Sequence, residues 1–187
     1  MIMAIRDILR MGHPTLRERA APVADTMIGT ADFQALLADL RDTLADSGGI
    51  GLAAPQIDVS LRVALIDLPG GDSRYGPLPR IPSTFFINPQ VEILNPATAG
   101  YWEGCLSVPG LRGFVERPQH LRVTAQDEHG ARLDHTFEGF PATVIQHEFD
   151  HLDGRLYVDR LASAKLLMFE AEFARYVLGE AAEPPAD

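Results

Sequence analysis

Residues Gln146-His147-Glu148-Phe149-Asp150-His151-Leu152-Asp153-Gly154 contain the pattern H-E-x-x-H. On an α-helix the two histidines stand one turn apart on one face, where two neutral imidazoles can hold a single metal ion. With about 3.6 residues per turn, Glu148 is rotated about 100° from His147 and about 60° from His151. It therefore flanks the metal instead of pointing away from it. A carboxylate there suits the general base for a water activated by the ion, and the chemistry indicated is hydrolysis.

Such a site needs a third protein ligand and an open position. The extended pattern H-E-x-x-H-x-x-G-x-x-H is met by Gly154 but fails at its last position, which is Tyr157. Glu170 and Glu172 lie downstream at a spacing that suits a ligand from a later helix. Cys105, in Glu103-Gly104-Cys105-Leu106-Ser107, is the other candidate. A lone cysteine is most often a small buried hydrophobe, but Gly104 permits close backbone approach and the flanking polar residues suit a cleft. Spacing leaves both Cys105 and the glutamates open. His13, His120, His129 and His135 have no ligand spacing and are assigned to surface or packing.

The elements that must position these residues follow from periodicity. Phe33, Leu36, Leu37, Leu40 and Leu44 form a helical stripe within 31–45, with Thr30 to cap its start and Gly48-Gly49 to stop it. Short Val/Ile/Phe-rich runs at 61–67, 84–87, 90–94, 121–126 and 131–137 predict strands. Asn88-Pro89 separates the second from the third, and Asp127-Glu128-His129-Gly130 predicts a hairpin turn. With four prolines and three glycines in fifteen residues, 69–83 is expected to be an exposed loop. The motif helix should begin near Pro141 and end before Gly154. A last helix is expected over 163–178, and the acidic tail 180–187 is expected to fray. Together these predict an α+β fold: short antiparallel sheets around a central helix carrying H-E-x-x-H, flanked by an N-terminal and a C-terminal helix, with residues 1–179 as one catalytic domain.

The 187 residues are 46% hydrophobic, enough for one core. A formal charge of −10 argues against nonspecific nucleic-acid binding, which needs basic surface. One cysteine allows no internal disulfide. With no long apolar run and no cleavage signal at the N-terminus, the expectation is a cytoplasmic protein that does not span a membrane.

Three segments resemble the signature motifs of the peptide deformylase family: Gly49-Ile50-Gly51-Leu52-Ala53-Ala54-Pro55-Gln56, Glu103-Gly104-Cys105-Leu106-Ser107 and Gln146-His147-Glu148-Phe149-Asp150-His151-Leu152. The opening Ile8-Leu9-x-x-Gly12-x-Pro14-x-Leu16-Arg17 is similar to that family's start, and the likeness covers roughly residues 4–178. The resemblance implies removal of the formyl group from the initiator methionine of nascent polypeptides, releasing formate. By likeness the ligands are Cys105, His147 and His151, around Fe(II), with nickel, cobalt or zinc as substitutes. Glu148 is implied as the base, and Gln56 and the backbone N–H of Leu106 as oxyanion donors. N-formylmethionyl nascent peptides are the implied partner, with transient ribosome contact as a family expectation.

Several further residues are expected around the substrate. Ile50, Tyr101, Phe140 and Val144 are candidates for an apolar methionine pocket, with ordinary core packing as the alternative. Strand edges near Gly51 and Gly104 could pair with the peptide backbone. Arg112 is placed to meet downstream carbonyls or a carboxylate, and solvent exposure is the plainer reading of it. Asp150, inside the motif but turned from the ligands, should form a structural ion pair, with Arg117 as first candidate.

Overall fold

In the computed structural model, residues 5–73 and 76–179 are described. After a 3-10 turn at Pro14–Arg17 come α1 (Asp25–Ile28) and α2 (Ala31–Ser47). The Thr30 side chain accepts from the Phe33 N–H, and Gly48 ends α2 at φ 65°, a left-handed conformation that glycine adopts without steric cost. The stripe Phe33, Leu37, Leu40 and Leu44 is buried against Leu52, Leu65, Phe85 and Ile87.

The sheet begins with β1 (Gly51–Ala53) and β2 (Val63–Leu68), joined through a 3-10 turn at Ala54–Ile57. The proline-rich stretch is less loop-like than its composition suggests. It contains a small hairpin, β3 (Gly71–Ser73) with β4 (Gly76–Leu78), and runs directly into β5 (Ile81–Cys105). β6 (Val108–Gln126) and β7 (Arg132–Glu138) follow, with the expected turn at 127–130 between them. Among the described residues these strands pair antiparallel, in the order β1-β2-β5-β6-β7, and a single parallel bridge links Ala21 to Leu61.

The strands expected at 84–87 and 90–94 are parts of one strand, not two. Asn88 takes φ 51° and makes an irregularity that shifts the register without ending the pairing. Its side chain stabilises the kink: Oδ1 accepts from the Val23 N–H and Nδ2 donates to the Val23 carbonyl, both at 2.8 Å. The β5–β6 hairpin continues to a two-residue turn at Leu106-Ser107, with Cys105 paired to Val108.

α3 (Phe140–Leu152) is the motif helix, with Pro141 in its first turn. Its Ala142, Ile145, Phe149 and Leu152 pack on the sheet residues Ile66, Phe86, Leu121 and Val123. The expected last helix is only partly helical. A 3-10 turn (Ala164–Leu166) leads into β8 (Leu167–Phe169), and α4 is confined to Glu170–Tyr176. Pairing of β8 with Leu111–Gly113 of β6 overrides the local helical preference. The fold is thus α+β, with an antiparallel sheet curved about α3. No helix among the described residues is long and apolar enough to cross a membrane. The tail 180–187 lies outside the described residues.

Candidate metal centre

The site forms where the tip of the β5–β6 hairpin meets α3. Cys105 Sγ, one ring nitrogen of His147 and one of His151 lie within 4.8 Å of one another. Cys105 Sγ is 3.3 Å from His151 Nε2. Glu170 does not join them. Its carboxylate accepts from Arg112 Nε at 2.9 Å, so of the candidate third ligands the cysteine is the one brought to the histidine pair. One thiolate and two imidazoles fit a borderline-soft transition ion and leave a coordination position for water.

The histidines are buried and oriented. His147 Nδ1 lies 2.7 Å from Glu103 Oε2, a partner that fixes the ring and leaves Nε2 for a cation. The Tyr157 ring stacks on His147, with centroids 6.0 Å apart. Glu103 also accepts from Arg117 Nε at 2.6 Å and Nη2 at 3.0 Å. Arg117 is 2% exposed and donates through Nη1 to Asp150 Oδ2 at 2.7 Å, the ion pair expected from the motif. Asp150 has a second partner that the sequence did not single out, Arg160 Nε at 3.0 Å. A chain of buried charge thus runs from His147 through Glu103 and Arg117 to Asp150, and it ends at the exposed Arg160. Removing one member of such a chain leaves a buried charge uncompensated.

Burial alone would raise the Cys105 thiol, but the charge of His151 and hydrogen bonds from both histidines outweigh it. They hold the group well below the usual thiol range, favouring the thiolate that ligates metals. Glu103 is likewise pushed up by burial and drawn down, on balance, by His147 and Arg117. Glu148 shows the opposite balance: burial raises it, and the two histidines only partly offset this. Glu148 Oε2 is buried and has no hydrogen-bond partner among the described residues. The carboxylate lies against Gly51 of β1, so closely that a Cβ on Gly51 would sit 2.7 Å from Glu148 Cγ. That contact requires glycine.

Gln56, 1% exposed, ends the 3-10 turn after β1. Its Oε1 accepts from the Ala53 N–H at 2.8 Å, and Nε2 points to Ser107 Oγ at 3.1 Å and Cys105 Sγ at 3.7 Å. The amide is therefore oriented with one N–H toward Ser107 Oγ and the other toward the sulfur. Leu106 follows Cys105 at the hairpin turn.

A cavity of about 570 Å³ opens over this cluster. Ile50, Gly51, Gly104, Leu106, Arg112, Phe140 and Val144 all line it. Tyr101 does not. Its ring packs edge-on against Phe140, with centroids 5.3 Å apart, and braces the wall from behind. The neighbouring Trp102 lines the cavity instead. His135 packs on Phe137, and His120 lies by Glu138, both away from the cluster.

Glu103, Trp102, Ser107 and Arg160 were not foreseen. Glu103 had a readable signal. It stands two residues before Cys105 on a strand, hence on the same face, and a ligating histidine needs an acceptor for its other nitrogen.

An antiparallel sheet packed on an H-E-x-x-H helix, with a cysteine sulfur brought to the two histidines, is the arrangement of a metallohydrolase. Residues 5–166 match the polypeptide deformylase family. A peptide deformylase of Leptospira biflexa is 44% identical over 170 residues, covering 91% of this chain and 95% of the relative. Peptide deformylase 2 of Ralstonia nicotianae is 48% identical over 157 residues, 84% of this chain and 87% of that one. Among solved structures, the class I type b peptide deformylase of Acinetobacter baumannii bound to Met-Ala-Ser superposes with a TM-score of 0.77 at 32% identity, covering 86% of this chain and 100% of that chain. The Synechococcus elongatus peptide deformylase in complex with actinonin gives 0.76 at 32% identity, covering 88% and 83%. This chain belongs to the polypeptide deformylase family, metal-dependent hydrolases that remove the N-terminal formyl group from newly made polypeptides.

Proposed function

We propose that Cys105, His147 and His151 hold one divalent cation, Fe(II) by family likeness, and that Glu148 carries the proton in hydrolysis of the formyl amide of initiator methionine. The observation behind this reading is the convergence of three donors within 4.8 Å of one another beside a buried carboxylate oxygen that has no hydrogen-bond partner among the described residues. When bound, the cation polarises the formyl carbonyl and acidifies water. Nickel, cobalt and zinc suit the same donor set.

Glu148 Oε2 accepts the proton of the attacking water and delivers it to the methionine nitrogen as the C–N bond breaks. Without that proton the amine is a poor leaving group. Gln56 Nε2 and the Leu106 N–H donate to the formyl oxygen as negative charge develops on it. The hydrogen on Nε2 that faces Sγ across 3.7 Å is weakly held and is the one free to turn to substrate. Each such donor is worth about 3 kcal/mol in the transition state.

Ile50, Phe140 and Val144 receive the methionine side chain, and Tyr101 supports Phe140. The peptide backbone pairs with β1 at Gly51 and with the hairpin end at Gly104. β1 ends the sheet order, which leaves an edge for it. Arg112 meets the downstream backbone. Residues 1–179 act as one catalytic domain on nascent chains in the cytoplasm, with transient contact to the ribosome. The Acinetobacter relative's complex with Met-Ala-Ser agrees with a peptide lying along this cleft.

Formyl-Met-Ala-Ser turnover tests the reading. Glu148→Gln should keep fold and metal while losing about 10²–10⁴-fold in kcat. Cys105→Ser should lose both metal and activity. Full activity in either variant would overturn the assignment.

A further inference from the structure

Arg112 sits at the wall of the reaction cavity, and its guanidinium lies over Gly104. A Cβ on Gly104 would collide with it, at 2.7 Å from Cζ. The charge is thus stationed one residue from the sulfur that holds the cation. A guanidinium is charged at every working pH, and its fork of N–H donors fits a carboxylate better than any uncharged oxygen. Left free, Arg112 would capture the terminal carboxylate of any short peptide in the cleft.

The chain supplies its own carboxylate instead. Glu170 Oε1 accepts from Arg112 Nε at 2.9 Å and also from Nη2. Glu170 is itself on the cavity wall. It is delivered there by two anchors. β8 pairs with β6 so that Met168 lies opposite Arg112, and Phe173 of α4 is buried beside the Trp102 ring, with centroids 5.2 Å apart.

We propose that Glu170 sets the substrate chemistry accepted downstream of the methionine. By neutralising Arg112 it favours peptides whose uncharged backbone continues past the site over short peptides that end there in a free carboxylate. A carbonyl oxygen can take an Arg112 N–H without displacing Glu170. A second carboxylate meets the charge of Glu170 first. The pair is partly exposed, with side chains 29% and 52% accessible, so an incoming group can reach it. The inference rests on the deformylase reading of the cavity and adds to it a residue that selects among formyl peptides.

The test compares formyl-Met-Ala-Ser with its C-terminal amide on the metal-loaded enzyme. Glu170→Gln, which keeps the shape of the side chain, should raise kcat/KM for the free acid relative to the amide by about fivefold, the scale of a partly exposed ion pair, mostly through KM. The gain should shrink in high salt and vanish in the Arg112→Gln/Glu170→Gln double variant. Glu172→Gln removes the same charge from α4 and should leave the ratio unchanged. A merely structural loss would lower both substrates together. An unchanged ratio in Glu170→Gln, an equal shift in Glu172→Gln, or a shift that persists without Arg112 overturns the proposal. Failure of the underlying reading looks different: no formate is released from either peptide by the wild-type enzyme.

Discussion

Gly51→Ala separates catalysis from stability in this protein. The new Cβ would lie 2.5 Å from Glu148 Cδ and 2.7 Å from Cγ, where ordinary carbon contacts are about 3.5–4.0 Å. Something must move by roughly 1 Å. The backbone of β1 is held by its pairing with Ala64–Ile66, whereas the colliding atoms are the outer part of one side chain. The carboxylate is therefore the part that yields. A displaced rotamer costs about 0.5–1.5 kcal/mol, a fall in Tm of roughly 1–6 °C for a chain of this size. The catalytic loss should be far larger, because about 1 Å of misplacement can cost on the order of 10²-fold in rate. Metal content should stay at the wild-type level, since Cys105, His147 and His151 are untouched. The assays are metal analysis, a thermal melt and formyl-Met-Ala-Ser turnover on one preparation. A kcat within about threefold of wild type would refute the role given to this contact, as would loss of metal in step with activity.

Two further outcomes follow from the buried charges. Asp150→Asn removes the partner of Arg117 and Arg160 and should cost about 3 kcal/mol, lowering Tm by roughly 6–12 °C while metal stoichiometry holds. Equal loss of stability and metal in a melt and a metal assay would count against that division. Glu103→Gln weakens the acceptor of His147 and should reduce metal affinity by about 10–100-fold in a competitive chelator titration. Affinity equal to wild type would show that the Glu103 charge does not tune the ligand.

α2 was legible because a single face of it is buried, and the motif helix, buried nearly all round, through its H-E-x-x-H spacing; the boundary signals of both are local. Thr30, Gly48 and Pro141 all lie within a turn of the boundary they set. The grouping of Gly51, Gln56, Cys105 and the histidines was legible only through the family likeness, since spacing left Glu170 and Glu172 open as ligands. The central part of the β5–β6 hairpin was not read. Residues 95–120 carry glycines, prolines and charges, and what keeps them in strand form is pairing with each other across the turn, a nonlocal cause. The same applies to Leu167–Phe169, where a helical pattern lost to an available strand partner. Tyr101 braces Phe140 while Trp102 through Cys105 line the cavity, a difference set by side-chain packing and not by local sequence.

The sulfur and the nearest imidazole nitrogen come from positions 46 residues apart, one at a hairpin tip and the other inside a helix. On the ligand set proposed above, an unfolded or half-synthesised chain has no high-affinity grip on a cation, because the donors meet only when hairpin and helix dock. Loading must then follow folding in time, and stripping the ion withdraws its binding free energy from the docked state. In a preparation of this protein, bound metal accordingly marks assembled molecules, while assembled molecules without the ion go uncounted.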